Sequence, residues 1–295
     1  MLRTRLWMGA VLIVVVIGIL VVDSWLHPWY PFLLLILLVV ETALCLELDG
    51  LLGRARRLPA WFCCTAVLAL LVSNWPAFIL HSVWGFKTDP WHWVMGTFVV
   101  IILSAFVVEM ATFREPGESV TRVAITVWIA AYLGLLPCFL VQLRWPPVAP
   151  TEEPIQAYRG TVAVLLAVFV PKVGDIGAYM TGRFLGRTKM TPLLSPKKTW
   201  EGFAGGLAAA VLTALVLYQF EPTLRAQPLA AVGFGVTVWI AAVLGDLAES
   251  LVKRDCGKKD ASQSVPGFGG LLDVVDSVVF SAPVAYCWLR LEVFH

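Results

Sequence analysis

The sequence predicts an all-α integral membrane protein of about nine transmembrane helices, with the N-terminus cytoplasmic and the C-terminus outside. Three observations carry this. The 295 residues are 59% hydrophobic and only 14% charged, with a mean hydropathy of +0.81; soluble domains sit nearer half apolar and a quarter charged. Apolar runs such as WMGAVLIVVVIGILVV (7–22) are unbroken, where a barrel strand would alternate. Finally, the basic residues fall in alternate loops.

A spanning helix needs about 20 mostly apolar residues. Nine stretches qualify: 7–22, 31–47, 60–80, 91–112, 120–143, 160–181, 201–220, 228–250 and 270–293. Arg3 and Arg5 precede the first, as in a signal peptide, but VVDSWLHPW after it offers no small-residue cleavage site, so it reads as a retained span. The sixth, eighth and ninth carry charges. No internal repeat is evident. Residues 1–159 form an N-terminal region of five spans, and 160–295 a C-terminal region of four spans with basic loops that would carry the chemistry.

With the N-terminus inside, the inner segments hold sixteen lysines and arginines and the outer loops four: Lys87, Arg144, Arg159 and Arg225. That is the positive-inside bias, and losing one upstream span would scramble it. All four histidines fall on the outer side, so inner-face chemistry must use acids, lysines, arginines and hydroxyls. The six cysteines show neither metal nor redox spacing, and five lie in or beside apolar runs.

Charged residues converge on the inner ends of three spans. The sixth reads VPKVGDIGAYMTGR, with Lys172 and Asp175 three apart; the eighth ends LGDLAESLVKR, with Asp246 and Glu249 on one face. The ninth begins GGLLDVVDS, and its Asp273 and Asp276 again share a face. Ionisable groups in a bilayer cost roughly 2.5–3.5 kcal/mol each on insertion scales, so they are expected to face a wet cavity and one another. Acids so gathered need cations, and hard divalent ions suit carboxylate oxygens and phosphates.

The adjoining loops offer anion sites. In LLSPKKTWEG, Ser195 and Pro196 suit a helix N-cap and first position, which would set Lys197 and Lys198 in a first turn beside free N–H groups. The loop KRDCGKKDASQSVPGFGG adds Lys253, Arg254, Lys258 and Lys259, and a glycine-rich turn with Gly267, Gly269 and Gly270 suited to close phosphate approach. Acids for a metal beside basic loops imply phosphoryl or nucleotidyl transfer involving a lipid.

Other features have plainer readings. Glu41 and Glu109 suit structural pairing, Glu109 with Arg114. Arg54, Arg56 and Arg57 suit topology, and Gly205 and Gly206 suit helix packing. Trp25, Trp29, Trp91 and Trp93 fit an outer interfacial belt.

Two stretches resemble phosphatidate cytidylyltransferases, the CDP-diacylglycerol synthase family: GDIGAYMTGRFLGRTKMTPLLSPKKTWEGFAGG (174–206) and GDLAESLVKRDCGKKDASQSVPGFGGLLDVVDS (245–277). The detailed similarity covers about the last 120 residues; the first 160 agree in hydropathy alone. Two positions depart: Phe268 stands where the family has His, and Val274 where it has Arg. Such losses are expected to weaken triphosphate binding, alter the substrate or mark an inactive member.

The resemblance implies transfer of a cytidylyl group from CTP to phosphatidic acid, giving CDP-diacylglycerol and pyrophosphate. It implies magnesium held by Asp246, Asp273 and Asp276, with room for a second metal ion such as K+. Asp175, Lys259 and Asp260 join these as catalytic candidates. Ser195, Lys197, Lys198, Lys253, Arg254 and Lys258, with the three glycines, would bind the triphosphate, and Arg183 or Arg187 the lipid headgroup. Expected partners are CTP, phosphatidic acid, membrane lipid and a second copy of the chain, but not nucleic acid, with the site at the cytoplasmic face of the inner membrane. Three alternatives stay open: a CTP-dependent polyprenol or phytol kinase, a catalytically impaired lipid-binding relative, and a transporter.

Overall fold

A computed structural model describes residues 15–53, 57–146, 153–259, 261–262 and 269–292. It is helical apart from one short hairpin. The elements are α1 (Val15–Ser24, its described part), α2 (Pro31–Leu52), α3 (Ala60–Val72), α4 (Pro76–Trp84), α5 (Pro90–Thr112) and α6 (Ser119–Gln142). They continue with α7 (Glu153–Leu185), the hairpin β1 (Lys189–Thr191) and β2 (Ser195–Thr199), α8 (Trp200–Tyr218), α9 (Pro228–Asp255) and α10 (Leu272–Glu292).

Seven of these helices are long and apolar enough to cross a membrane, and α3 with α4, bent by 40° at Ser73–Trp75, adds an eighth if the pair is one span. Half of the first expected span, residues 7–14, lies outside the described residues. The chain is thus an all-helical integral membrane protein.

Local signals set the helix starts. Proline opens α2, α4, α5 and α9, where a missing N–H costs nothing. The Asp23 carboxylate accepts the Phe32 and Leu33 N–H groups, each at 3.0 Å, capping α2. Asp89 caps α5 through the Trp91 N–H at 2.9 Å. Within α6, residues 130–135 widen into a π-helical turn.

Helix contacts divide the chain into two units: Met1–Gln142 with Asp260–Leu272, and Leu143–Lys259 with Asp273–His295. In the first, buried Glu109 of α5 pairs with Arg122 of α6 rather than with Arg114. The antiparallel neighbour brings its own guanidinium alongside, which sequence proximity could not show. Arg57 is buried against Asp49 and donates to the Leu58 carbonyl at 2.8 Å, so it is a structural ion pair as well as a topology signal. Arg54 and Arg56 lie outside the described residues.

The second unit is held by glycines. A Cβ at Gly206 of α8 would lie 2.2 Å from the Trp239 ring of α9, and one at Gly174 of α7 would lie 2.5 Å from the same ring. A Cβ at Gly205 would lie 2.0 Å from the Thr181 hydroxyl oxygen. The packing role read for Gly205 and Gly206 is therefore what these residues perform. The Trp239 indole N–H donates to the Phe203 carbonyl at 3.1 Å, so a bulky ring and two absent side chains lock three helices.

Two local expectations are corrected. Ser195 does not cap a helix, and Lys197 and Lys198 do not lie in a first turn; all three are in strand β2. The cap is Thr199, extended at φ −129° and ψ 154°, whose hydroxyl accepts the Gly202 N–H at 3.1 Å. Glu201 then holds the hairpin's entry by accepting the Arg187 and Thr188 N–H groups, each at 3.1 Å. Lys253 and Arg254, expected in a loop, sit in the last turn of α9. The i, i+4 pair of Glu249 with Lys253 carries that helix onward.

Candidate active site

The second unit gathers its charges where α7, α9 and α10 meet. Gly245 makes the approach of α9 and α10 possible: a Cβ there would lie 2.5 Å from Phe280 Cβ and 2.7 Å from the Asp276 carbonyl oxygen. With no side chain between them, Asp246, Glu249 and Asp276 come together, each offering a carboxylate oxygen within 4.8 Å of the others. Glu249 is 1% exposed and Asp276 is 4% exposed.

Lysines surround this trio. Lys198 of β2 lies 2.7 Å from Asp246. Lys172 of α7 lies 3.0 Å from Asp175 and 3.9 Å from Asp276. Asp175 also accepts the Ser277 hydroxyl at 2.9 Å, tying α7 to α10. Lys253 bridges Glu249 and Asp273.

One atom stands out. Glu249 Oε1 is buried and accepts no hydrogen bond among the described residues. A buried carboxylate oxygen left unmatched costs free energy, and a hard cation would match it beside two further carboxylates. The donor set is all oxygen, as magnesium prefers, so the residues fit that ion.

Asp175, Asp246 and Asp276 are brought together as the sequence suggested. Asp273 is close by, but against Lys253, and the third member of the acid trio is Glu249. Its signal was present in the spacing of Asp246 and Glu249 on one face. Lys172 and Ser277 also belong here; Lys172 stood out beside Asp175, whereas nothing set Ser277 apart within the family-like stretch that it ends.

Of the basic residues proposed for substrate, Lys198 and Lys253 touch the acids of this cluster. Arg183, Arg187, Lys197, Lys258 and Lys259 are exposed. Arg254 donates to the carbonyls of Leu194 and Lys258, each at 3.3 Å, tying the end of α9 to the hairpin tip. Val274 is half-buried in the first turns of α10. Asp260, Gly267 and Phe268 lie outside the described residues. Gly269 has φ 104°, a conformation that favours glycine.

The profile of the cytidylyltransferase family matches residues 3–292. The chain belongs to the cytidylyltransferase family. The match reaches well beyond the C-terminal stretches in which the sequence motifs lie. Curated cytidylyltransferases with similar sequences include phosphatidate cytidylyltransferase 5, chloroplastic, of Arabidopsis thaliana, 34% identical over 210 residues, or 66% of this chain and 52% of that protein. The phosphatidate cytidylyltransferase of Mycobacterium bovis is 35% identical over 181 residues, 60% of this chain and 54% of that protein. That of Haemophilus influenzae is 36% identical over 156 residues, 52% of this chain and 53% of its own length. The chain therefore spans about half the length of these cytidylyltransferases.

Proposed function

We propose that this chain transfers a cytidylyl group from CTP to phosphatidic acid, giving CDP-diacylglycerol and pyrophosphate for phospholipid synthesis. The observation that carries the reading is the unmatched Glu249 oxygen inside an acid trio flanked by lysines. The names of the similar proteins agree with it.

In the reaction, an ionised oxygen of the lipid phosphate attacks the α-phosphorus of CTP. The new phosphorus–oxygen bond forms as the bond to the pyrophosphate oxygen breaks. The attacking oxygen needs no strong general base, which suits a site whose described side chains are acids, lysines and Ser277. The obstacle is anion meeting anion. Asp246, Glu249 and Asp276 would hold magnesium, which when bound supplies positive charge to the phosphates and the leaving group. Lys198, beside Asp246 at 2.7 Å, would supply positive charge to the triphosphate, with exposed Lys197 adding to the basic strand. Lys172 keeps Asp175 and Asp276 from repelling one another, and Lys253 holds Asp273 and Glu249 in register.

The same reading places the site at the cytoplasmic face, with nine spans and the N-terminus inside. Glu47, near the end of α2, bonds to Leu271 and Leu272 at the start of α10, which supports putting those two ends at one face of the membrane. An even number of crossings between them agrees with this reading. Helices α5 to α9 make five, and the bent α3–α4 pair makes the sixth. Adding α1 to α2 and α10 gives nine, and the basic loops choose the face. A second copy of the chain is the proposed partner.

The test is incorporation of radiolabelled CTP into lipid by the purified chain, with and without magnesium. A CDP-lipid with pyrophosphate is expected. A phosphorylated alcohol with CDP would assign the chain to the kinase class, and no turnover of either kind would leave the family scaffold without this activity.

A further inference from the structure

The first unit contains a carboxylate that the motifs do not mark. Glu47 lies in α2 and is 8% exposed. Its Oε1 accepts the Ser262 hydroxyl at 2.7 Å and the Leu271 N–H at 2.8 Å, and its Oε2 accepts the Leu272 N–H at 2.8 Å. The last two are donors that a helix start leaves without intrahelical partners, and an acid there also meets the positive end of the helix dipole. Glu47 thus caps α10 from a helix more than two hundred residues earlier. It also gathers Ser262 on one side of residues 263–268 and Leu271 on the other. Gly270 fits this arrangement closely: a Cβ would lie 2.8 Å from Glu47 Oε2 and 2.9 Å from Ala261 Cβ. The glycine makes room for the carboxylate.

We propose that Glu47 is a positioning residue that fixes where α10 begins, and hence the placement of Asp273 and Asp276 in its first two turns. The contacts stand on geometry; their catalytic consequence rests on the cytidylyltransferase reading. Each carboxylate oxygen has its own donors, so replacements should grade. Glu47→Gln keeps one acceptor oxygen and loses the other. Glu47→Asp is too short by one methylene, and Glu47→Ala has no acceptor.

The experiment is hydrogen exchange on the full chain in lipid nanodiscs, with magnesium titration of CDP-lipid formation alongside. In Glu47→Ala and Glu47→Asp the Leu271 and Leu272 amides should exchange faster by about tenfold or more, with Glu47→Gln between them and the parent. Amides of α3 should not change. The magnesium concentration for half-maximal rate should rise in the same order. Unchanged exchange at 271–272 in Glu47→Ala would overturn the proposal, as would equal acceleration across α2, α3 and α10, which would show general loosening. If Glu47→Ala does not fold, Ser262→Ala and Glu47→Gln carry the test: smaller, local increases support it and none overturns it. An inactive parent chain would refute the cytidylyltransferase reading while leaving the exchange result to decide the role of Glu47.

Discussion

Gly245 of α9 lies directly against the backbone of Asp276 on α10, with room for no more than a hydrogen atom between them. A methyl group there would push α10 away by way of Phe280 and the Asp276 carbonyl. Overpacking of this kind costs about 1–3 kcal/mol, and it would fall on the placement of the acid trio. Gly245→Ala should insert in the membrane yet form CDP-lipid on the order of a hundredfold more slowly. Parent-like rates in a purified sample would show that the close crossing is not required.

Glu249 and Asp273 should behave differently. Glu249 offers an open oxygen beside Asp246 and Asp276, whereas Asp273 is engaged by Lys253. Glu249→Gln should raise the magnesium requirement by about tenfold or more, and Asp273→Asn by much less. Manganese binding followed by electron paramagnetic resonance gives a readout that does not need turnover. The reverse order would return the metal to Asp273.

Lys198 should act on nucleotide and Lys197 more weakly. Lys198 reaches Asp246 at 2.7 Å, while Lys197 is exposed on the same strand. Removing a charge-assisted contact costs roughly 1.5–3 kcal/mol, so Lys198→Met should raise KM for CTP by about tenfold or more. Lys197→Met should change it a few-fold at most. Equal effects would point to a diffuse basic field instead of one placed lysine.

Metal should also stabilise the fold. Five carboxylates (Asp175, Asp246, Glu249, Asp273 and Asp276) face three lysines (Lys172, Lys198 and Lys253), an excess of two negative charges when all are ionised. A ligand binding only the folded chain adds about 2.7 kcal/mol at a hundred times its dissociation constant. Melting in detergent should therefore shift upward with magnesium, fall back with a chelator, and respond weakly in Glu249→Gln. A melting point indifferent to magnesium in the parent chain would argue against a metal in this cluster.

The span-level architecture was legible because lipid enforces it: long apolar runs and asymmetric loops are visible without knowing any contact. The convergence of Asp175, Asp246 and Asp276 was legible for the same reason, since charges at one depth have few places to go. Partner choice was not. Lys253 meets both Asp273 and Glu249, and which of the two also reaches Asp246 and Asp276 follows from how α9 and α10 cross at Gly245. The Ser195 reading failed because Thr199 caps equally well and lets the preceding residues pair as a hairpin. Glu47 was invisible, since nothing in an apolar run that also carries Glu41 and Asp49 announces which acid will meet a backbone over two hundred residues away.

That separation has a bearing on how the protein is made. Glu47 is synthesised more than two hundred residues before Ser262, Leu271 and Leu272, the donors it accepts from. Such distant pairings form slowly because a long loop must close first. The cap on α10 is therefore a late event in biogenesis, and a nascent chain stopped short of residue 262 would carry Glu47 without these three donors.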